Sequence, residues 1–317
     1  VQTASNHRRI QRFLASYDLD AVQLGRLLVH LAQVSPPYLI TVDRTEWHVG
    51  SEPVNVLAAG ISLGGEVALP IAWVALPKEG GSSADEQMQV LDQLLQVVDA
   101  DQIAAVVADR EFISVQWLKR LKAEEVPFAV RVRSDRRVQR SSGGARLPVR
   151  MMARTASPGC PRVMETVRLQ GEEGPVITDL VIRRIGDADA EDPFLILATW
   201  EVEPKAALAC YAERWSIAAL KSRGFDLEAT RLTAPKRVER LIALLALAFL
   251  WARLVGERRA ETEGPPRRLP HGRRCRSLFR YGLDRLQHVL ATPEETRGPL
   301  LRCLQLLRSP TAFLSCT

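Results

Sequence analysis

The chain has 317 residues and a mass of 35.3 kDa, with 46% hydrophobic and 25% charged residues. Those proportions exclude a largely disordered or collagen-like chain and leave room for one large or two small folded units. The net charge of +6 is concentrated: residues 251–317 hold 13 Arg, no Lys and six acids, and residues 131–154 hold eight Arg against Asp135 alone. Arginine without lysine suits planar, bidentate partners such as phosphate, which makes nucleic acid a candidate partner; composition alone is equally consistent with a solvated Arg-rich surface.

Residues 6–33 repeat apolar side chains at helical spacing, from Ile10, Phe13, Leu14 and Tyr17 to Val22, Leu24, Leu27, Leu28 and Leu31. This predicts two helices broken near Asp18–Asp20 and ended by Pro36-Pro37. The run 38–43 predicts a short strand with Asp43 at its far end. Residues 55–63 and 66–76 predict two more strands, joined as a hairpin at Gly64-Gly65. The spacing of Met88, Leu91, Leu94, Leu95 and Val98 predicts a helix. A buried strand over 103–108 then ends in Asp109, followed by a helix over 114–123 and a strand over 128–132. Meandering strands followed by alternating helices and strands predict a mixed α/β sheet with helices packed on it.

From 134 to 193 Gly, Pro and Arg become frequent and short alternating strands appear, which predicts a β-rich insertion. A strand over 194–199 leads to helices over 204–223 and 237–259, and the Arg-rich remainder carries shorter helices. The domain expectation is an N-terminal helical region (1–35), a core in two parts (36–133 and 194–260) around the insertion, and a basic helical C-terminal region (261–317). The longest apolar stretch, Leu241 to Ala252, is too short to cross a bilayer, which needs about 20 residues. The chain opens at Val1 with no signal segment, so residues upstream are expected. Five scattered cysteines with no C-x-x-C pair argue against a disulfide framework or zinc site and for a reducing cytoplasm.

Asp43 and Asp109 carry the chemistry. Each follows an apolar strand, and on neighbouring strands their carboxylates converge. Two close carboxylates repel unless a cation bridges them, and hard oxygen ligands suit Mg²⁺ or Mn²⁺ acting on phosphate. A single aspartate after a strand is otherwise a turn former or helix cap. The histidines lack ligand spacing, and no G-x-S-x-G or phosphate loop is present. The segment 265–280, with Arg273 and Arg274, resembles an arm suited to tracking a DNA backbone.

Ile40-Thr-Val-Asp-Arg-Thr-Glu-Trp47 and Val107-Ala-Asp-Arg-Glu-Phe112 resemble the first two acidic motifs of insertion-sequence DDE transposases of the IS4 type. Tyr211-Ala-Glu-Arg-Trp-Ser-Ile217 with Lys221-Ser-Arg-Gly-Phe225 resembles the third, and the similarity runs from about His7 to His288. The resemblance implies an RNase H-like core with a β-rich insertion before the last catalytic helix. It also implies Asp43 and Asp109 as catalytic ligands of Mg²⁺ or Mn²⁺, and Tyr211, Arg214 and Lys221 as phosphate contacts. The implied partners are terminal inverted repeats and target DNA, bound by a homodimer in the bacterial cytoplasm with no membrane.

The third motif departs from the family pattern of Tyr, two residues, Arg, three residues, Glu, six residues, Lys. Tyr211 and Arg214 match, but Ala218 stands at the Glu position and Lys221 follows it after two residues. A loss of four residues turns a helix by roughly 400°, nearly one full turn, so the downstream face stays close to register. Glu213 faces away, and Asp226 and Glu228 follow Gly224, where the helix is expected to end, so no acid replaces the glutamate. Two function classes follow: a transposase with impaired strand cleavage, or a transposase-derived DNA-binding protein that inhibits intact copies. A general metal-dependent nuclease or phosphatase accounts for the aspartates but not for the Arg-rich tail.

Overall fold

The computed structural model describes residues 2–64, 68–154, 156, 160–172, 174–186, 192–214, 225–270, 274–291 and 295–308. By contacts the chain divides into two units, Ser35–Ile217 and a second that joins Val1–Val34 to Ala218–Thr317.

The N-terminal apolar periodicity forms α1 (Gln2–Ser16) and α2 (Ala21–Ala32). The break falls at Asp20, whose carboxylate caps α2 by accepting from the Val22 and Gln23 N–H groups at 3.0 Å.

In the other unit, β1 (Tyr38–Val49), β2 (Glu52–Ser62) and β3 (Ala68–Leu76) form an antiparallel meander. β1 does not stop at Asp43, so that residue lies within the strand and not at its end. Past Asp43 the buried positions are Thr45 and Trp47, while Arg44, Glu46 and His48 alternate with them. The strand signal there is a period of two, which an apolar run does not reveal. The hairpin register holds from Ile40↔Ile61 to Val49↔Glu52, and Gly50 supplies the positive φ of the turn.

α3 (Ala84–Val97) starts at a capping box of Ser83 and Glu86. β4 (Ile103–Ala108), α4 (Val115–Ala123) and β5 (Phe128–Arg131) follow, with β4 parallel to β1 and β5 parallel to β4. The order β3-β2-β1-β4-β5 is the mixed sheet that the strand pattern predicts, and it agrees with the RNase H-like core that the resemblance implies. The β-rich segment supplies β6 (Arg137–Arg140), β7 (Leu147–Pro148), α5 (Val149–Ala153), β8 (Arg162–Leu169) and β9 (Val176–Arg184). β10 (Phe194–Trp200) joins them to the core by pairing antiparallel with both β5 and β9. The result is one ten-stranded sheet, β3-β2-β1-β4-β5-β10-β9-β8-β6-β7.

β4 is buried on both faces, so its successive residues serve two cores. Val106 lines a small cavity with Val42, Leu91, Leu94 and Trp117 on the side of α3 and α4. Val107 packs with Ala129, Val181 and Leu197 against Ala207 and Tyr211 of α6 (Pro204–Ala212) on the other. The helix predicted over 204–223 is described only to Ala212. Arg214 lies past its cap residue Glu213, and residues 215–224, including Trp215, Ala218, Lys221 and Gly224, fall outside the described residues.

The helical unit continues with α7 (Pro235–Glu263), α8 (Leu278–Ala291) and α9 (Arg297–Gln305). α7 and α8 cross at two glycines. A Cβ on Gly256 would collide with the Leu278 carbonyl, and one on Gly282 with the Ala252 carbonyl and the Gly256 N–H. Arg240 of α7 donates to the Tyr17 and Leu14 carbonyls at the end of α1, at 2.6 and 2.9 Å. No described helix is long and apolar enough to cross a membrane.

Candidate functional site

The parallel pairing of β1 with β4 matches Val42 to Ala108, so Asp43 and Asp109 fall side by side one step further on. Side chains alternate across a strand, so both acids project on the face that Thr41 and Val107 share, opposite Val42 and Val106. That is the face covered by α6. Asp109 keeps an extended backbone (φ −80°, ψ 175°) and caps the short helical turn Arg110–Phe112.

The flanks of the two acidic motifs are tied to each other. Arg44 donates from Nε to Glu111 at 2.8 Å and from Nη1 to Glu46 at 2.6 Å. Glu46 accepts from the Gly80 N–H at 3.3 Å, and the Asn55 amide donates to the Gly80 carbonyl at 2.8 Å. This network fixes the loop before α3 and holds β1 against the segment after β4. Trp47 and Trp73 are buried and belong to the core.

Asp109 is crowded with donors. Its Oδ1 accepts from the Arg110 N–H at 2.7 Å and from the Tyr211 hydroxyl at 3.3 Å. Its Oδ2 lies 3.0 Å from Arg214 Nη1, and Arg131 Nη1 approaches Oδ1 at 3.9 Å. Arg214 also stacks over the Tyr211 ring, 4.7 Å from its centroid. Burial pushes the Asp109 carboxyl up, but the Arg110 N–H together with Arg214 and Arg131 outweighs it and holds the group below the usual carboxylate range. Burial raises the Tyr211 hydroxyl, and the Asp109 charge adds to that while the two arginines oppose it. Asp43 is half-buried, and its carboxylate makes no hydrogen bond or ion pair among the described residues.

Tyr211 and Arg214 meet at Asp109, although the helix over 204–223 that the sequence predicts is described only to Ala212. Tyr211 sits in the last turn of α6 and Arg214 turns back from beyond its end. Lys221 and Arg273 lie outside the described residues. Arg274 is exposed, and its backbone bridges to Arg268. Glu213 is exposed at the cap, as is Asp226 beside a short helical turn.

Two participants escape the sequence reading. Arg131 ends β5, and Asp192 precedes β10; the antiparallel pairing Leu197↔Arg131 brings them to the same edge. Arg131 Nη2 lies 3.9 Å from Asp192 Oδ2, the same separation that Arg131 Nη1 keeps from Asp109. Asp192 Oδ1 and Arg214 Nε are buried atoms without a hydrogen-bond partner among the described residues. The only sequence signal for either residue is a charge at the end of an apolar strand.

The donor set does not fit a divalent cation as it stands. Among the described residues no three of His, Cys, Asp and Glu gather at one point. An ion at the roughly 2.1 Å that Mg²⁺ demands from Asp109 Oδ2 would stand within about 5 Å of Arg214 Nη1. At an effective dielectric of about 20, that repulsion is roughly 6 kcal/mol, which two carboxylates must offset without a third.

A family model described as transposase DDE domain matches residues 36–251. A search of curated proteins returned no match. Among solved structures, the chain is similar to endonuclease V of Streptomyces avermitilis, with 12% identity over 74% of this chain and 95% of that one, at a TM-score of 0.25. Endonuclease V of Bacillus subtilis aligns at 10% identity over 75% of this chain and 96% of that one, at a TM-score of 0.26. At TM-scores this low the likeness decides nothing about activity.

Proposed function

The chain belongs to the transposase DDE domain family, and from that premise we propose that it binds the terminal inverted repeats of a bacterial insertion sequence as a dimer, with strand cleavage severely impaired. The observation that carries this reading is the composition of the site: two carboxylates and two arginines, with Ala218 at the position where the family motif has its glutamate. In the catalytic family members, the residues matching Asp43 and Asp109 would hold Mg²⁺ or Mn²⁺, which activates the attacking oxygen and stabilises the leaving one. Here the donor set falls short of that.

DNA contact survives the loss. Tyr211, Arg214 and Lys221 are the proposed phosphate contacts near the element's end, and Arg273 and Arg274 the backbone contacts of the basic arm. A chain that holds an end without cutting it, or pairs with an intact transposase on DNA, acts as an inhibitor of transposition.

The test is a binding and nicking assay on duplex DNA carrying the element's ends, with Mg²⁺ or Mn²⁺ present. The chain as it stands is compared with a variant in which four residues including glutamate are restored at Ala218. Retained binding by both, with nicking only by the restored variant, is expected. Nicking by the unaltered chain at the restored variant's rate overturns the impaired reading, and absence of end-specific binding overturns the DNA-binding one.

A further inference from the structure

We propose that Arg131 and Arg214 are resident counter-cations of Asp109 that compete with a divalent metal ion for its carboxylate, with Asp192 holding Arg131 in place. The proposal rests on the reading of Asp43 and Asp109 as the acidic pair of the site, and it concerns what the DNA-free chain does with their charge.

Two carboxylates, Asp109 and Asp192, are linked through two guanidiniums, Arg131 and Arg214, with Asp43 on the strand beside Asp109. The side chains of Asp109, Asp192, Arg131 and Arg214 are only 32%, 29%, 23% and 25% exposed, so their charges are poorly screened. A half-buried carboxylate needs compensation, and Asp109 has it from within the chain: a direct contact to Arg214 at 3.0 Å and a looser one to Arg131 at 3.9 Å. A guanidinium stays charged at every physiological pH, so this compensation is never lost by titration.

Arg131 lies between two acids at equal separations, 3.9 Å from Asp109 and 3.9 Å from Asp192. Neither contact is a hydrogen bond at that length, so neither acid captures it. Asp192 keeps one buried oxygen, Oδ1, without a hydrogen-bond partner among the described residues. A rotation of the guanidinium toward Asp192 shortens its contact to Oδ2 and uncovers Asp109; a rotation the other way covers Asp109. Asp192 thus draws positive charge away from the acidic pair. It is a positioning residue, acting on Asp109 through Arg131.

Arg214 is held differently. Its Nη1 is committed to Asp109 and its face to the Tyr211 ring, while its buried Nε has no acceptor among the described residues. A metal ion at Asp109 must displace this contact or endure its repulsion. Two competing cations on one carboxylate give a negative linkage: each lowers the other's affinity by the same factor.

Mn²⁺ binding to the full chain, measured without DNA by the paramagnetic resonance of free Mn²⁺, reads this directly. Arg131→Gln and Arg214→Gln are expected to tighten binding on the order of tenfold each, and adding Asp43→Asn to the double variant should remove the gain. Asp192→Asn should weaken Mn²⁺ binding in the unaltered chain, because Arg131 then stays on Asp109. In the Arg131→Gln background the same change should have no effect.

Equal Mn²⁺ affinity in the unaltered chain and the double variant overturns the proposal. So does a gain that survives Asp43→Asn, since the metal then sits elsewhere. If Asp192→Asn weakens binding with Arg131 already neutralised, Asp192 is itself a ligand and the positioning role is lost. Arg131→Gln alone, checked for folding by circular dichroism, stands in if the double variant does not fold. Because no DNA is present, these outcomes are independent of whether the chain binds or nicks transposon ends.

Discussion

Arginine does two different things in the two units. On α7 and α8 the arginines pair with acids close by in sequence: Arg253 with Glu257, Arg258 with Glu261, Arg259 with Glu263 and Arg280 with Asp284, at spacings of three or four residues. In the sheet unit, Arg131 and Arg214 come from the end of β5 and from beyond α6 to meet an acid that follows β4. The helical pairs follow from periodicity; Arg258–Glu261, at 63% and 66% exposure, lies in solvent, where such contacts contribute little, whereas Arg253–Glu257 is as shielded as the pair at Asp109. The pair at Asp109 exists only because three separate elements end at one edge of the sheet, and partial burial gives each charge more weight. Position in the fold, more than the identity of the residue, sets what an arginine is worth.

If that contrast holds, the helical unit is held by backbone approach and hardly by its arginines. Gly282→Val should lower stability by about 3 kcal/mol, because its side chain would enter the Ala252 carbonyl and the Gly256 backbone. The urea midpoint of the helical unit's unfolding measures this; a midpoint near that of the unaltered chain would mean that α7 and α8 do not need their close approach.

Asp109→Ala should come next, at about 2 kcal/mol, since it leaves Arg214 and Arg131 facing each other without a carboxylate. Chemical denaturation followed by Trp fluorescence reports it. A neutral effect would put Asp109 in the same class as the surface pairs.

Arg214→Gln should cost about 1 kcal/mol near neutral pH, a partly exposed pair being discounted for solvent. Its pH dependence sharpens the comparison further. The Asp109 carboxyl is lowered in the folded chain, so its contribution is fully present above the ordinary carboxylate pKa and fades as pH falls through the lowered value. The gap between Arg214→Gln and the unaltered chain should therefore close in acid and be constant from pH 6 to 8 (an approximate window set by ordinary carboxylate values). A gap that persists at the lowest pH would point to lost packing on the Tyr211 ring instead.

The smallest effect belongs to the helical pairs. Glu261→Gln, which breaks the 3.1 Å contact to Arg258, should change stability by no more than about 0.5 kcal/mol. Thermal melts at low and high salt would detect a larger value, and a large one would erase the distinction between the two units.

Much of the candidate site was legible before any coordinates. The apolar run of β4 and the aspartate after it, the neighbouring strand with Asp43, and the Tyr211–Arg214 spacing all follow from sequence pattern, and all three reach one face of the sheet. The extent of β1 was less legible, because Arg44, Glu46 and His48 hide its second half from a search for apolar runs. The route of Arg214 is not legible either: the described helix ends at Ala212, and Arg214 reaches Asp109 from beyond its cap.

The sequence by itself determined the elements, their order and the two acids, because hydrophobic periodicity and capping chemistry act over a few residues. The resemblance carried by the sequence sets Ala218 at the position of the family motif's glutamate. Only the tertiary structure decided that Arg131 and Asp192 enter the site: their approach depends on β10 pairing antiparallel with β5, a register set by burial across the whole sheet and invisible to any local window.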